Sequence, residues 1–277
     1  MRNVITMLTL MGVAFVANAQ PLLSRLKPSV TLVAAHRGGF NDSLPENSMV
    51  NFRHTVAKSR QLVMLEFDVR KSKSGTLYIL HDATVDRTTN GTGEISTLQD
   101  DYITSLHLKD LQGRQTTEKV PTVSEFLSWA KSAQVLLMMD VKADVWAETL
   151  AMIHSFDMTD RCLVLTFKTT DTQRVRTLSP SIAISCLVSS TKEWSSVKSQ
   201  LPSLGPVMAY VNDSATPALL AQVSAAGIRT LADVSEHSRH NGKLLSRQEY
   251  KEALSRLAGG ILVTDYPIEV SIIADHP

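Results

Sequence analysis

The strongest constraint on this chain is its rhythm. Nine short apolar runs recur along it, at 31–36, 62–69, 76–81, 134–141, 162–167, 182–188, 206–211, 228–234 and 260–264. Helical patterns fill most of the gaps, at 46–59, 121–133, 145–156, 169–178, 191–200, 215–226 and 246–257. The runs are apolar almost throughout instead of alternating, as strands are in a parallel sheet covered on both faces. Such alternation of strands and helices predicts an α/β fold, a (β/α)8 TIM barrel. Nine runs for eight places leave one outside the barrel. The run at 76–81 follows 62–69 too closely for a crossover helix. The run at 206–211 is also weak, and the pattern alone does not choose between them.

Length supports a single barrel. Residues 1–19 read as a signal peptide: Arg2 gives a positive start, 4–16 is apolar and short, and Ala17-Asn18-Ala19 is a cleavage site predicting Gln20 as the first mature residue. The alternative is an uncleaved anchor, for which the run is short. The protein is therefore expected to be exported, to a periplasm or outside the cell, with no stable membrane anchor. Taking 19 residues from 277 leaves 258 for residues 20–277, close to the roughly 250 of one barrel domain. The balance of 28 basic and 27 acidic side chains gives no hint of a nucleic-acid partner. Export would permit a disulfide between Cys162 and Cys186, but two buried thiols on neighbouring strands are the favoured reading.

Residues 83–120 interrupt the alternation. They are polar, carry turn signals at Asn90-Gly91 and Gly113, and show no period. They predict a small insertion after the third strand, over one rim of the barrel, where barrel enzymes vary their substrate contacts.

The chemistry-bearing residues sit at or near strand ends. His36 and His81 each close an apolar run, and Glu66-Phe67-Asp68 lies within a third. Residues two apart on a strand share a face, so Glu66 and Asp68 aim two carboxylates at one place. Paired carboxylates repel unless a proton or a cation lies between them, and hard cations such as Mg²⁺ and Ca²⁺ take oxygen ligands. Asp140 ends a further apolar run, with Lys142 two residues on and on the same face. Arg37 offers a planar fork suited to phosphate oxygens, and Lys142 a point charge. Both also suit ion pairs to the site's own acids. Asp82 neighbours His81, and Glu46 opens a helical pattern after Pro45. A cation site with a histidine on either side suits acid–base chemistry on a phosphate ester.

His-Arg-Gly at 36–38, Pro-Glu-Asn at 45–47, Glu66-x-Asp68-Val69, and His81-Asp82 followed by DRTTNGTG at 86–93 appear in an order that resembles glycerophosphodiester phosphodiesterases. The match is close in the N-terminal half and looser in the C-terminal half, where Thr264-Asp265-Tyr266-Pro267 fits a family signature and suggests barrel closure. The resemblance implies a metal-dependent hydrolase, with one divalent cation, Mg²⁺ or Ca²⁺, on Glu66, Asp68 and Asp140. It makes His36 the general base, His81 the general acid, and Arg37 and Lys142 the phosphate binders. Glu46 and Asp82 would stand behind these groups, and the insertion would be a short cap. The substrate would be a small glycerophosphodiester, giving sn-glycerol 3-phosphate and an alcohol.

Two departures stand out. The family has Glu-x-Lys where this chain has Asp140-Val141-Lys142. It often has Trp-Thr-x-Asn where this chain has Leu231-Ala232-Asp233-Val234, so the leaving alcohol is expected to be recognised differently. Arg87, Thr88, Thr89 and Gly91 read as turn-shaping residues. His237 and His240 read as a solvated loop within reach of a substrate. Rival readings are a phosphodiesterase for lysophospholipid or sphingolipid headgroups, and a secreted binding protein that has lost turnover.

Overall fold

The computed structural model describes residues 22–26, 30–212, 214–257 and 259–275. The signal-peptide stretch and its cleavage site lie outside them. A short helix α1 (Leu22–Arg25) precedes strand β1 (Leu32–Ala35), helix α2 (Met49–Lys58), strand β2 (Val63–Lys71) and strand β3 (Leu77–Ile79). The insertion holds α3 (Asp100–Ser105). Beyond it come α4 (Val123–Ala133), β4 (Leu136–Val141), α5 (Trp146–Ser155), β5 (Cys162–Thr166), α6 (Thr169–Leu178), β6 (Ala183–Leu187), α7 (Thr191–Leu204), β7 (Val207–Val211), α8 (Pro217–Ala225), β8 (Arg229–Asp233), α9 (Glu236–Arg239), α10 (Arg247–Arg256), β9 (Ile261–Thr264) and α11 (Pro267–Asp275).

Eight strands close a parallel barrel in the order β1-β2-β4-β5-β6-β7-β8-β9, and β9 pairs back onto β1. The ninth run is settled in favour of 206–211 as a stave. β3 is outside: it pairs antiparallel with the far end of β2, Val69 opposite Ile79 and Lys71 opposite Leu77. The insertion therefore follows the third strand in the chain but falls between the second and third staves of the barrel.

The strands are apolar on both sides because two cores need them. Leu32, Ala34, Met64, Leu136, Met138, Leu163, Met208, Leu231 and Ile261 fill the barrel interior. Their sequence neighbours, among them Val33, Leu65, Phe67, Leu137, Met139, Val164 and Ile184, pack outward against the helices. Phe67 on β2, Phe52 on α2 and Phe126 on α4 form one fully buried aromatic group, with ring centroids 4.8 and 4.5 Å from Phe126. Truncating any of the three to Ala would cost about 3–5 kcal/mol. The group fixes β2, which carries two of the acids, against α2. That helix begins at Ser48, whose side chain accepts the Asn51 N–H as an N-cap. α4 begins with a capping box, Thr122 with Glu125.

The insertion is a packed unit of its own. Val85, Ile95, Ile103, Leu106, Leu108 and Val120 cluster with Tyr78 and Leu80. It is tied by short bridges, Thr84 to Glu94 and Thr89 to Leu108, and not by regular strands. That explains why its sequence carries no period. Gly91 lies beneath Leu106, where a Cβ would come within 2.5 Å of a methyl carbon.

Cys162 and Cys186 are buried free thiols on the neighbouring strands β5 and β6. Burial pushes both above the usual thiol range. Among the described residues, no helix is long and apolar enough to cross a membrane.

Candidate active site

Glu66 and Asp68 on β2 and Asp140 on β4 meet at the C-terminal rim of the barrel. Asp68 is directly opposite Asp140 in the sheet register. All three are buried, and each offers an oxygen within 4.8 Å of the others. Burial presses Glu66 toward its neutral form and Asp68 adds to that, so its pKa is pushed up to about 8. Burial likewise raises Asp140. Asp68 goes the other way: burial opposes its charge, but Lys142, His81 and Arg37 hold it below the usual carboxylate range. Its Oδ1 is buried and accepts no hydrogen bond, although the Lys142 ammonium lies 3.3 Å away. An all-oxygen donor set with one buried oxygen left over, and acids that burial resists ionising, fits a hard divalent cation.

The His36–Gly39 turn delivers the first histidine. It leaves β1 through positive φ at Arg37 (50°), Gly38 (85°) and Gly39 (92°). A Cβ on Gly38 would sit 2.8 Å from the Phe52 ring. The turn points the Arg37 N–H at Glu66 Oε2, 2.6 Å away. His36 Nδ1 lies 2.7 Å from Asp265 Oδ1, just beyond β9. Burial disfavours the His36 imidazolium, but the Asp265 bond and the charges of Glu66, Asp265 and Asp233 outweigh it, and the pKa rises to about 9.

His81 reaches the same level by another route. β2 overshoots the rim, and β3 folds back along it until the Leu80 N–H meets the Asp68 carbonyl at 3.1 Å. The residue after that pairing is His81. It is not at the end of a parallel stave, as the strand pattern suggested; a returning antiparallel strand lowers it to the acids. Its Nδ1 lies 2.8 Å from Asp82 Oδ1. Burial lowers its pKa, with Arg37 and Lys142 adding to that and Asp68 and Asp82 opposing it. Each histidine thus has one ring nitrogen tied to a carboxylate, leaving Nε2 for proton transfer.

The flanking cations are held by acids. Arg37 donates to Glu46 at 3.0 Å, and Lys142 donates to Asp140 at 2.7 Å. Glu46 is a buried hub that also accepts two hydrogen bonds from Arg87, both at 2.8 Å. Arg87 in turn grips Asp82 at 2.6 Å. It is therefore a clamp between the Pro-Glu-Asn loop and the His81 loop, not merely a turn-shaping residue.

Sequence reasoning left four further residues out. Asn47 donates to Asp68 Oδ2 at 2.8 Å. Arg70, two residues past Asp68 on β2, donates to the carbonyls of His81 (2.8 Å) and Lys142 (3.0 Å), and alternation from Asp68 would have pointed to it. Asp265, in the sequence a sign of barrel closure alone, anchors His36. His237 reads in the sequence as part of a solvated loop, yet its backbone N–H donates to Asp265 at 2.6 Å and its ring stacks on Phe40 at 4.0 Å. His54, His107, His154 and His240 take no part in this network, and His276 is outside the described residues. In the stretch that departs from Trp-Thr-x-Asn, Leu231 fills the interior and Asp233 accepts the Tyr210 hydroxyl at 2.9 Å.

A closed parallel barrel with convergent acids, bases and cations on its C-terminal rim has the layout of barrel enzymes. A model of the glycerophosphoryl diester phosphodiesterase family matches residues 36–267, and the chain belongs to that family. A glycerophosphodiester phosphodiesterase of Caldanaerobacter subterraneus is 27% identical over 164 residues, 57% of this chain and 66% of that one. Human glycerophosphodiester phosphodiesterase 1 is 33% identical over 134 residues, 47% of this chain and 40% of that protein. The chain thus spans less than two thirds of the length of these relatives. Among solved structures, a glycerophosphoryl diester phosphodiesterase of Parabacteroides distasonis superposes with a TM-score of 0.80 at 24% identity, covering 92% of this chain and 90% of its own. A phosphodiesterase of Oleispira antarctica, in complex with the product sn-glycerol-3-phosphate, superposes with a TM-score of 0.68 at 21% identity, over 89% of this chain and 97% of that one.

Proposed function

We propose that the protein hydrolyses glycerophosphodiesters to sn-glycerol 3-phosphate and an alcohol. The observation that carries this is the buried Glu66–Asp68–Asp140 cluster set on one rim with two carboxylate-anchored histidines. Family membership and the product held by the Oleispira neighbour support the same reading. Glu66, Asp68 and Asp140 would hold one divalent cation, Mg²⁺ or Ca²⁺. Such an ion, once bound, supplies charge neutralisation at a phosphate oxygen. Arg37 and Lys142 bring positive charge to the phosphate. One histidine Nε2 takes the proton of the nucleophile, either water or a neighbouring glycerol hydroxyl. The new P–O bond forms to that oxygen, the P–O bond to the alcohol breaks, and the other histidine Nε2 gives the alkoxide its proton. The resemblance casts His36 as the base and His81 as the acid, whereas the raised His36 pKa and the lowered His81 pKa favour the opposite order in the cation-free site.

The test is release of glycerol 3-phosphate from glycerophosphocholine with Mg²⁺ or Ca²⁺, and again with EDTA. Release that EDTA stops is the expected result. Absence of release from any glycerophosphodiester by cation-loaded, folded protein overturns the reading. Export is proposed from the N-terminal stretch, and a secreted or periplasmic mature chain starting at Gln20 in N-terminal sequencing would support it.

A further inference from the structure

Asp265 serves two imidazoles. Its Oδ1 lies 2.7 Å from His36 Nδ1, and its Oδ2 lies 3.3 Å from His237 Nδ1. Oδ2 also accepts the His237 backbone N–H at 2.6 Å. A carboxylate oxygen only accepts, so each ring meets it with a proton on Nδ1. The Asp265 side chain is fully buried, whereas that of His237 is 37% exposed, so His237 stands at the solvent edge of the pair. Phe40 packs on both imidazoles in nearly parallel fashion, its ring centroid 6.1 Å from that of His36 and 4.0 Å from that of His237.

The loop that carries His237 is fastened to the segment that carries Asp265. Glu236 is fully buried and accepts the Thr264 hydroxyl and the Asp265 N–H, both at 2.8 Å, together with the Tyr250 hydroxyl. The Tyr266 hydroxyl donates to the Gly242 carbonyl at 2.9 Å and closes the far end of the loop. On the near side, the Ser235 N–H donates to Asp233 at 2.8 Å. A carboxylate is costly to bury, and Glu236 is buried with all three of these donors in place. His237 and Asp265 are therefore held as one unit.

The carboxylate torsion of Asp is soft and two-fold, so a single bond from His36 leaves its plane free to turn. Two donors on the other oxygen remove that freedom. We propose that His237 is a positioning residue for the reaction, its ring Nδ1–H holding Asp265 in the plane that aims His36. The inference rests on the glycerophosphodiesterase reading and adds a residue to it. The shorter bond from His36 keeps Asp265 chiefly its partner, and His237 exchanges no proton with the substrate.

The experiment uses two variants that both keep the backbone N–H. H237F retains a ring against Phe40 and has no donor; H237N has a side-chain amide that can place an N–H where Nδ1 lies. With glycerophosphocholine and Mg²⁺ or Ca²⁺, H237F should lower kcat about tenfold with KM within about twofold of wild type, the small end of the loss when a group behind a catalytic residue is removed. H237N should recover most of that loss. Added to D265N, H237F should cost less than about twofold more, because a residue acting through Asp265 has nothing left to act on. Wild-type kcat in H237F overturns the proposal, and so does a raised KM at unchanged kcat. Equal losses in H237F and H237N, or an undiminished further loss in the D265N protein, overturn it as well. The proton on His36 Nδ1, followed by NMR with isotope-labelled histidine, gives a readout without turnover. It should be resolved in wild type and H237N, and lost to solvent exchange in H237F and D265N. If wild-type protein hydrolyses no diester, the functional reading fails, and the NMR comparison still decides the positioning: an unchanged resonance in H237F would rule it out.

Discussion

His36 and Asp265 lie 229 positions apart and meet at 2.7 Å. A carboxylate on Nδ1 fixes the tautomer of the ring and stabilises its charged form. Asp265→Asn should keep the fold and lower kcat by roughly a hundredfold or more, the range expected for loss of a positioned proton carrier. It should also move the limb of the pH–rate profile that belongs to His36 to lower pH, because removing the negative charge removes the leading cause that lifts its pKa to about 9. An unchanged profile would show that Asp265 only closes the barrel. H36A and H81A should each abolish turnover, with circular dichroism unaltered; near-normal turnover in either removes that histidine from the mechanism. Glu46 accepts from Arg37 and Arg87 while buried. Glu46→Gln should cost about 1–3 kcal/mol in chemical denaturation, because two guanidinium groups lose a charged acceptor. The acids were legible from sequence because each carboxylate sits at or near the end of an apolar strand, which is a local signal. Asp265, Asn47 and the clamp at Arg87 act through partners far away in the chain or through loops, and no local pattern marks such a contact.

At the scale of elements, the turn at 36–39 and the hairpin of β2 with β3 place the two histidines. The turn uses three successive positive φ values, which only glycine adopts freely. Gly38→Ala would add backbone strain to a collision with Phe52 and should destabilise by at least about 1–3 kcal/mol, with activity lost in step. Retained activity with normal stability would mean that the turn can be rebuilt. The eight staves and their helices were legible because each stave satisfies two cores and so must be apolar on both faces. The brief linker after 62–69 marked 76–81 as an awkward stave, but the antiparallel return that brings His81 beside Asp68 depends on β2 overshooting the rim. The length of that overshoot is set by tertiary pairing, not by the residues of β2 alone.

For the whole molecule, the acids and histidines set a pH dependence of stability. The folded-state pKa of Glu66 is raised from 4.5 to about 8, so the folded protein binds more protons than the unfolded chain between those values. Stability then falls as pH rises through that window. His36, raised from 6.5 to about 9, extends the fall to higher pH, and the lowered His81 offsets part of it below pH 6.5. In EDTA, the melting temperature should decline from about pH 5 to pH 8. Mg²⁺ or Ca²⁺ should restore it at pH 8, since a ligand that binds only the folded state stabilises it. Glu66→Gln should flatten both effects, and a melting temperature indifferent to pH and cation would leave the three acids without a cation.

The bond between His36 and Asp265 joins the first stave to the last. Most of the chain must already be threaded into place before those two side chains can meet, and contacts between distant parts of a chain form late and slowly. On the proposed mechanism, catalytic power in this barrel would therefore report on ring closure. During refolding from denaturant, helical signal should return early, whereas turnover should return only with the slowest event, the seating of β9 against β1.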